Sequence, residues 1–284
     1  MTMTDRYAVV GYPVAHSKSP FIHARFAEQT AQAMCYERLE IAPEDFDHSV
    51  REFFDQGGRG LNITVPHKEA AWQLVDWRAP NADRAGAVNT IYRLDDGRLA
   101  GDNTDGVGMV RDIETNNAGT LAGARILIVG AGGAVRGVLP RLIAAAPASL
   151  CIVNRTESRA DTLARLFADQ IRINVLSYAQ LQQQATAFDW IINGSAGGLK
   201  GELPPLPDAL VTSGTACYDM VYAPGGTVFQ KWASTHGAAM SLDGSGMLVE
   251  QAAESFRIWR GVRPDTGPVI QALRETLASN QSVS

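Results

Sequence analysis

The stretch RILIVGAGGAVRG, residues 125–137, decides the fold. A buried strand over residues 125–129 runs into Gly130-Ala131-Gly132-Gly133, and a helix opens at Ala134. Glycines in such a turn let backbone N–H groups approach a pyrophosphate, and the helix N-terminus adds partial positive charge. The spacing departs from G-x-G-x-x-G, because Val135 stands where the third glycine belongs. Taken alone, the motif is also compatible with a plain tight turn between strand and helix.

The next strand, residues 149–153, chooses the cofactor. An NAD site places an acidic residue at its end to accept from the ribose 2′-hydroxyl. Here the strand ends in Asn154-Arg155-Thr156, with Arg159 close behind. A phosphate on that hydroxyl would meet both guanidinium groups in charge-assisted hydrogen bonds, with Asn154 and Thr156 as neutral donors, so the sequence favours NADP. Glu157 opposes a phosphate unless it points away. The structural alternative makes Thr156 a helix cap and the arginines a solvated face.

Outward from this unit, strand-like apolar runs alternate with helix-period segments along nearly the whole chain, the pattern of a parallel α/β architecture. Strands are expected at residues 7–10, 36–41 and 60–65, with helices starting near Ser19, Pro43 and His67. A hairpin of residues 88–94 and 98–101 turns at Asp95-Asp96-Gly97. A helix follows over about residues 105–116. Further strands are expected at residues 172–176, 190–193, 216–220 and 238–242, then helices at residues 247–260 and 268–278.

The 284 residues, 45% hydrophobic and 19% charged, suffice for two domains. A net charge of -5 without a long Lys/Arg run argues against nucleic acid as a partner. No stretch approaches the ~18 apolar residues of a membrane span, and residues 1–5 show no targeting pattern, so no membrane partner and a cytoplasmic location are expected. Cys35, Cys151 and Cys217 are far apart and form no C-x-x-C pair, which suggests buried thiols rather than disulfides or a zinc site.

Chemistry-bearing residues concentrate elsewhere. In GYPVAHSKSP, residues 11–20, Ser19 reads as an N-cap before Pro20, while Ser17, His16 and Lys18 have no such local explanation. In LNITVPHKEA, residues 61–70, Lys68 sits in the first turn of a helix, where the dipole favours anions; an exposed lysine tolerated at small cost is the bland reading. In GDNTDGVG, residues 101–108, Asp102 and Asp105 flank Asn103-Thr104. A calcium loop is rejected because Gly101 falls at its first ligand position. Asp105 reads as an N-cap, compatible with a catalytic role. His16, His23, His48, His67 and His236 form no H-E-x-x-H, and neither Ser17 nor Ser19 sits in a G-x-S-x-G elbow, so no metal is expected. Hydride transfer needs only a nicotinamide, a carbonyl or alcohol, and an acid–base group such as Lys68 partnered by Asp105.

Together GYPVAHSKSP, NITVPHK, GAVNT, GDNTDG, GAGGAVR, NRT, YDMVY and DGSGMLVEQAAESF occur in the order of the shikimate dehydrogenase family, and the chain resembles that family over nearly its whole length. The resemblance implies NADP-linked reduction of 3-dehydroshikimate to shikimate, in the pathway to chorismate and aromatic amino acids. It implies an N-terminal α/β substrate domain, residues 1–105 completed by residues 243–284, plus a Rossmann-like NADP-binding domain, residues 106–242, with both ligands in the cleft between them. Lys68 and Asp105 would be the acid–base pair. Ser17, Ser19 and Tyr222 would bind the substrate carboxylate, and Thr64, Asn89, Asp105 and Gln251 the ring hydroxyls. Gly130, Ala131, Gly132, Gly133 and Ala134 would hold the pyrophosphate, Asn154, Arg155, Thr156 and Arg159 the adenosine phosphate, and Met220 and Gly244 the nicotinamide. His67 would be structural. INGSAGGL, residues 192–199, departs from the family form at Gly194 and Ser195, where Ala or Cys and then Thr are usual. Monomer and homodimer are both compatible with this sequence. An NAD-preferring quinate/shikimate dehydrogenase and a non-catalytic sensor are the competing readings; Asn154-Arg155-Thr156 speaks against the first, retention of Lys68 and Asp105 against the second.

Overall fold

The computed structural model describes residues 4–183 and 187–279. The chain divides into two compact units: the first holds the chain up to Gly108 with Leu248–Gln271, the second Met109–Met247 and the chain from Ala272.

The first unit runs β1 (Asp5–Gly11), α1 (Ser19–Gln29), β2 (Met34–Glu40), α2 (Phe46–Asp55), β3 (Gly58–Ile63), α3 (Lys68–Leu74), β4 (Trp77–Arg78), α4 (Pro80–Ala85), β5 (Thr90–Arg93) and β6 (Leu99–Asp102), then enters α5 (Asp105–Arg111). Its six-stranded sheet has the order β2-β1-β3-β5-β6-β4. β1 is parallel to β2 and β3, but β5 is antiparallel to both β3 and β6. The sheet is therefore mixed, not wholly parallel. The hairpin turn accounts for the β5–β6 pairing: Gly97 adopts a φ of +88°, which a residue with a Cβ rarely does, and the Arg98 N–H donates to Asp96 Oδ1 at 3.1 Å. One face of the sheet packs Ala8, Val10, Leu61, Ile63 and Ile91 against Phe46, Val50 and Phe54 of α2.

The second unit runs β7 (Arg125–Val129), α6 (Gly133–Ala144), β8 (Ser149–Val153), α7 (Glu157–Leu166), β9 (Ile173–Leu176), α8 (Tyr178–Gln183), β10 (Trp190–Asn193), β11 (Ala216–Asp219), α9 (Val228–Thr235) and β12 (Met240–Leu242). All pairings are parallel, in the order β12-β11-β10-β7-β8-β9. Ile126 and Ile128 enter one apolar core, Leu127 and Val129 another. A central strand with both faces covered has no polar side to show, which is why β7 reads as an unbroken apolar run. Cys217 is buried and its thiol pushed up to about 12 by burial, but Cys35 on β2 is exposed, so the expectation of uniformly buried thiols is corrected.

Two helices close the sequence, α10 (Ser245–Arg260) and α11 (Gly267–Ser279). The part of α10 in the first unit lies over the sheet face opposite α2. There Trp259 stacks on Tyr7 with ring centroids 4.9 Å apart and donates from Nε1 to the Ile91 carbonyl at 3.2 Å. Gly60 makes the approach possible, since a Cβ there would lie 2.5 Å from Trp259 Nε1. Gly60→Ala is expected to destabilise the protein by about 1–3 kcal/mol through overpacking, read as a lowered urea midpoint. An unchanged midpoint would show that the indole can move aside.

Candidate active site

After β3 the chain turns through residues 64–67 into α3, whose first residue is Lys68. His67 anchors the turn: it is buried, its Nε2 donates to the Ile41 carbonyl at 2.8 Å, and its ring stacks on Phe46 at 4.7 Å. Lys68 thus places an ammonium at a helix N-terminus, the end whose dipole disfavours it. Asp105 compensates. Lys68 Nζ donates to Asp105 Oδ2 at 2.6 Å, with the two side chains 23% and 9% exposed. Asp105 opens α5, an end that favours a carboxylate. It is not the cap, as the sequence suggests; the Thr104 carbonyl accepts the first helical bond, from the Gly108 N–H, so Asp105 lies in the first turn.

Neutral groups surround the pair. Asn89 Nδ2 donates to Asp105 Oδ1 at 2.8 Å, and the Asp105 N–H donates to Asn103 Oδ1 at 3.1 Å. Gln251 arrives from α10 with Oε1 3.5 Å from Asn89 Nδ2 and 3.4 Å from Thr104 Oγ1. Thr64 is half-buried at the start of the turn, and its methyl fills the space left by Gly11, where a Cβ would lie 2.5 Å away.

Ser17 and Ser19 also lie together. Ser17 Oγ donates to Ser19 Oγ at 3.2 Å and accepts the Ser19 N–H at 3.3 Å. Arg38 fixes the loop by donating from Nε and Nη2 to the Ser17 carbonyl at 3.0 and 2.7 Å. The N-cap reading of Ser19 is overturned: α1 begins at Ser19 itself, Lys18 occupies the cap position, and no side chain caps the helix. The Ser19 hydroxyl is therefore not committed to the helix end. His16 is exposed.

In the second unit, Gly130 takes a φ of +108° and its N–H donates to the Val153 carbonyl at 2.8 Å. A Cβ on Gly130 would meet the Gly194 carbonyl oxygen at 2.9 Å, whereas one on Gly132 or Gly133 would meet nothing within 4 Å. The turn thus combines one tightly packed glycine with two beside open space, and Gly132 caps α6 with no side-chain bond. Ala131 and Ala134 continue the same turn. This cradle fits a pyrophosphate. Past β8, Arg155 and Arg159 are exposed and make no ion pair among the described residues, and Asn154 Nδ2 donates to the Thr156 carbonyl at 2.8 Å. Thr156 stands at the cap position of α7, yet its hydroxyl makes no cap bond. Glu157 is in the first turn of α7, where the dipole gives a carboxylate its own reason to be.

At the ends of β10 and β11, the Met220 N–H donates to the Asn193 carbonyl at 2.8 Å, and the Gly244 N–H to the Val221 carbonyl at 3.1 Å. Gly244 packs directly on the Met220 backbone with no room for a Cβ. Gly194 lets Val135 and Met220 close in, since a Cβ there would lie 2.5 Å from Val135 Cγ2 and 2.9 Å from Met220 Sδ; Ser195 Oγ donates to Asn193 Oδ1 at 2.7 Å. Tyr222 is half-buried, and burial, with Asp243 nearby, holds its hydroxyl above the ordinary phenol range.

Comparison with known proteins gives three matches to family models. Residues 9–91 match the shikimate dehydrogenase substrate binding domain, residues 112–198 shikimate / quinate 5-dehydrogenase, and residues 244–274 the shikimate 5′-dehydrogenase C-terminal domain. The shikimate dehydrogenase (NADP(+)) of Alkalilimnicola ehrlichii is 60% identical over 96% of this chain and 99% of its own. The chain belongs to the shikimate dehydrogenase family. Among solved structures, an Ael1 enzyme from Pseudomonas putida is similar with a TM-score of 0.89 and 42% identity, covering 95% of this chain and 98% of its own. The shikimate 5-dehydrogenase of Thermus thermophilus, solved in complex with NADP(H) and shikimate, has a TM-score of 0.84 and 34% identity, covering 95% and 99%.

Sequence reasoning about this shikimate dehydrogenase family member missed several polar residues packed around Asn89 and behind it. Asn62, Thr90, Thr104 and Ser255 are buried, and all lie inside quoted motifs. For Asn62 and Thr90 the available signal was a hydrogen-bonding side chain inside a strand-like apolar run; Thr104, between polar neighbours, and Ser255, next to Glu254, offered none. His23 was missed too. It is fully buried, stacks on Tyr36 at 4.1 Å, and neither ring nitrogen has a hydrogen-bond partner among the described residues. Burial lowers its pKa to about 3, outweighing the opposing influence of nearby Asn62. Among the described residues no helix is long and apolar enough to cross a membrane, and no cluster of metal-ligating side chains occurs.

The His23 shift has a definite sign. A ring that binds a proton near pH 6.5 when unfolded but only near 3 when folded costs nothing above pH 6.5, and its stability contribution falls as pH drops through that window. Urea unfolding between pH 6 and 4 should show a loss of up to about 1.4 kcal/mol per pH unit from this group. His23→Phe should remove that part of the slope; an unaltered slope would assign it to other residues.

Proposed function

We propose that the chain catalyses the reversible NADPH-dependent reduction of 3-dehydroshikimate to shikimate, with Lys68 and Asp105 as its acid–base pair. The observation that carries the site assignment is the 2.6 Å contact between Lys68 Nζ and Asp105 Oδ2, ringed by uncharged amides and hydroxyls. A small polyhydroxylated acid offers little apolar area, so directional hydrogen bonds must recognise it.

Lys68 donates a proton from Nζ to the carbonyl oxygen as the carbon is reduced, and takes it back in the reverse direction. Asp105 balances the ammonium and aims it. Asn89 and Gln251, with Thr64, hold the ring hydroxyls. Ser17 and Ser19 take the carboxylate; Tyr222 is assigned to the same anion on the family resemblance alone. When bound, NADPH supplies the hydride. Gly130, Ala131, Gly132, Gly133 and Ala134 would hold its pyrophosphate, Asn154, Arg155, Thr156 and Arg159 its 2′-phosphate, and Met220 and Gly244 its nicotinamide. In this division of labour the first unit carries most of the substrate domain expected at residues 1–105 and 243–284, and the second most of the NADP domain expected at residues 106–242.

Shikimate with NADP should yield reduced nicotinamide, followed by absorbance, with NAD and quinate assayed beside them. Lys68→Ala should cut turnover by roughly a hundredfold or more while changing shikimate affinity far less. Parental turnover in that variant would remove Lys68 from the mechanism. Replacing both Arg155 and Arg159 with Ala should erode the preference for NADP over NAD; an unchanged ratio of kcat/KM values would overturn the phosphate assignment.

A further inference from the structure

Behind Asn89 lies a set of polar side chains that the chemistry above does not use: Thr90 on β5, Asn62 on β3, Ser255 on α10 and Tyr36 on β2. Thr90 and Ser255 are fully buried and Asn62 nearly so. Buried hydroxyls and amides are costly unless each is paired. The direction of every hydrogen bond among them follows from the groups that have no choice of role.

The Thr104 backbone N–H can only donate, and it meets Asn89 Oδ1 at 2.9 Å. That fixes the Asn89 amide with Nδ2 towards Asp105 Oδ1. Thr90 Oγ1 lies 2.9 Å from the same Asn89 Oδ1, so Thr90 must donate to it. With its proton committed, Thr90 accepts from Ser255 Oγ at 2.7 Å. The Asn89 carbonyl can only accept, and it faces Asn62 Nδ2 at 3.3 Å, which orients the Asn62 amide. Asn62 Nδ2 donates to Ser255 Oγ at 2.9 Å, and Asn62 Oδ1 accepts from the Tyr36 hydroxyl at 2.7 Å. Ser255 Oγ also lies 3.1 Å from the Gln251 carbonyl and 3.3 Å from Thr104 Oγ1, but the shorter contact with Thr90 takes its proton.

The line Tyr36, Asn62, Ser255, Thr90, Asn89, Asp105 therefore runs donor to acceptor in one sense and ends on the carboxylate that holds Lys68. Hydrogen bonds aligned in this way polarise one another. We infer that Thr90 and Ser255 are positioning residues: they hold the Asn89 amide, and through it the Asp105 carboxylate, in the orientation that presents Oδ2 to the Lys68 ammonium. The inference rests on the reading of Lys68 and Asp105 as the acid–base pair.

The test compares Thr90→Val, which removes the hydroxyl at nearly constant shape, with Thr90→Ser, which keeps it, and adds Ser255→Ala. Circular dichroism and thermal melting establish folding; should Thr90→Val not fold, Ser255→Ala carries the comparison. Thr90→Val should lower kcat roughly tenfold and Ser255→Ala about three- to tenfold, while KM and the calorimetric Kd for shikimate stay within about threefold. Thr90→Ser should retain most of the parental kcat. Losses confined to KM, equal kcat losses in Thr90→Ser and Thr90→Val, or parental kcat in both deletions would overturn the inference. Lys68→Ala assayed in parallel separates the two ideas. Parental turnover there refutes the acid–base reading itself, whereas an inactive Lys68→Ala beside fully active Thr90→Val and Ser255→Ala refutes only the positioning role.

Discussion

An ammonium at the positive end of a short helix is stable in a half-buried setting only if an anion is fixed against it. That constraint organises the first unit. Lys68 opens α3 and Asp105 opens α5, so the backbone disfavours one charge and favours the other, and their 2.6 Å contact joins the two helix starts. The pair is neutral as a whole. Because Asn89, Thr104 and Gln251 add hydrogen bonds without adding charge, the surroundings of the pair offer donors and acceptors in place of a strong net field. Away from the pair, the hydroxyls of Ser17 and Ser19 lie together at the start of α1, free of capping duty.

The second unit is governed by how closely backbones pass one another. Gly130 stands against Gly194, and Gly244 against Met220, at separations that exclude a Cβ. Asp219 ties the neighbouring strand ends together, accepting from Asn193 Nδ2 at 3.1 Å, Thr227 Oγ1 at 2.6 Å and the Val221 N–H at 3.2 Å. Burial raises its pKa even so. These contacts set the ends of β10 and β11 rigidly, while the open side of Gly132 and Gly133 stays clear. Tight packing on one side and room on the other is what a backbone-lined anion cradle requires.

Much of this was legible in the sequence because the decisive patterns are local. β7 and β8 are buried on both faces and read as apolar runs; the glycine turn and the Asp95-Asp96-Gly97 reversal are short-range signals of backbone conformation. Features decided by distant partners were not legible. β4 has only Trp77–Arg78, too short to show alternation, and exists by pairing with β6. Ser19 and Asp105 each look like caps, yet the helices begin at those residues, a shift of one position that propensity does not resolve. The relay through Asn62 and Ser255 joins residues 193 positions apart, and no spacing rule predicts such a meeting.

The face of α10 shows why a helix so late in the chain belongs to the first unit. Gln251, Ser255 and Trp259 recur at intervals of four and so share one side of the helix. Gln251 reaches the Asn89 and Thr104 side chains, Ser255 enters the polar line behind them, and Trp259 lies over Gly60 and donates to Ile91. Each anchors the helix to a different part of β3 or β5 or to the loop before α5. Sliding the helix by even one residue would rotate the face by about 100° and break all of these contacts together. Packing at Trp259 thus fixes the register that delivers Ser255 to Thr90 and Gln251 to Asn89 and Thr104, so the fit of an indole over a glycine becomes a condition of the hydrogen bonding around Asp105.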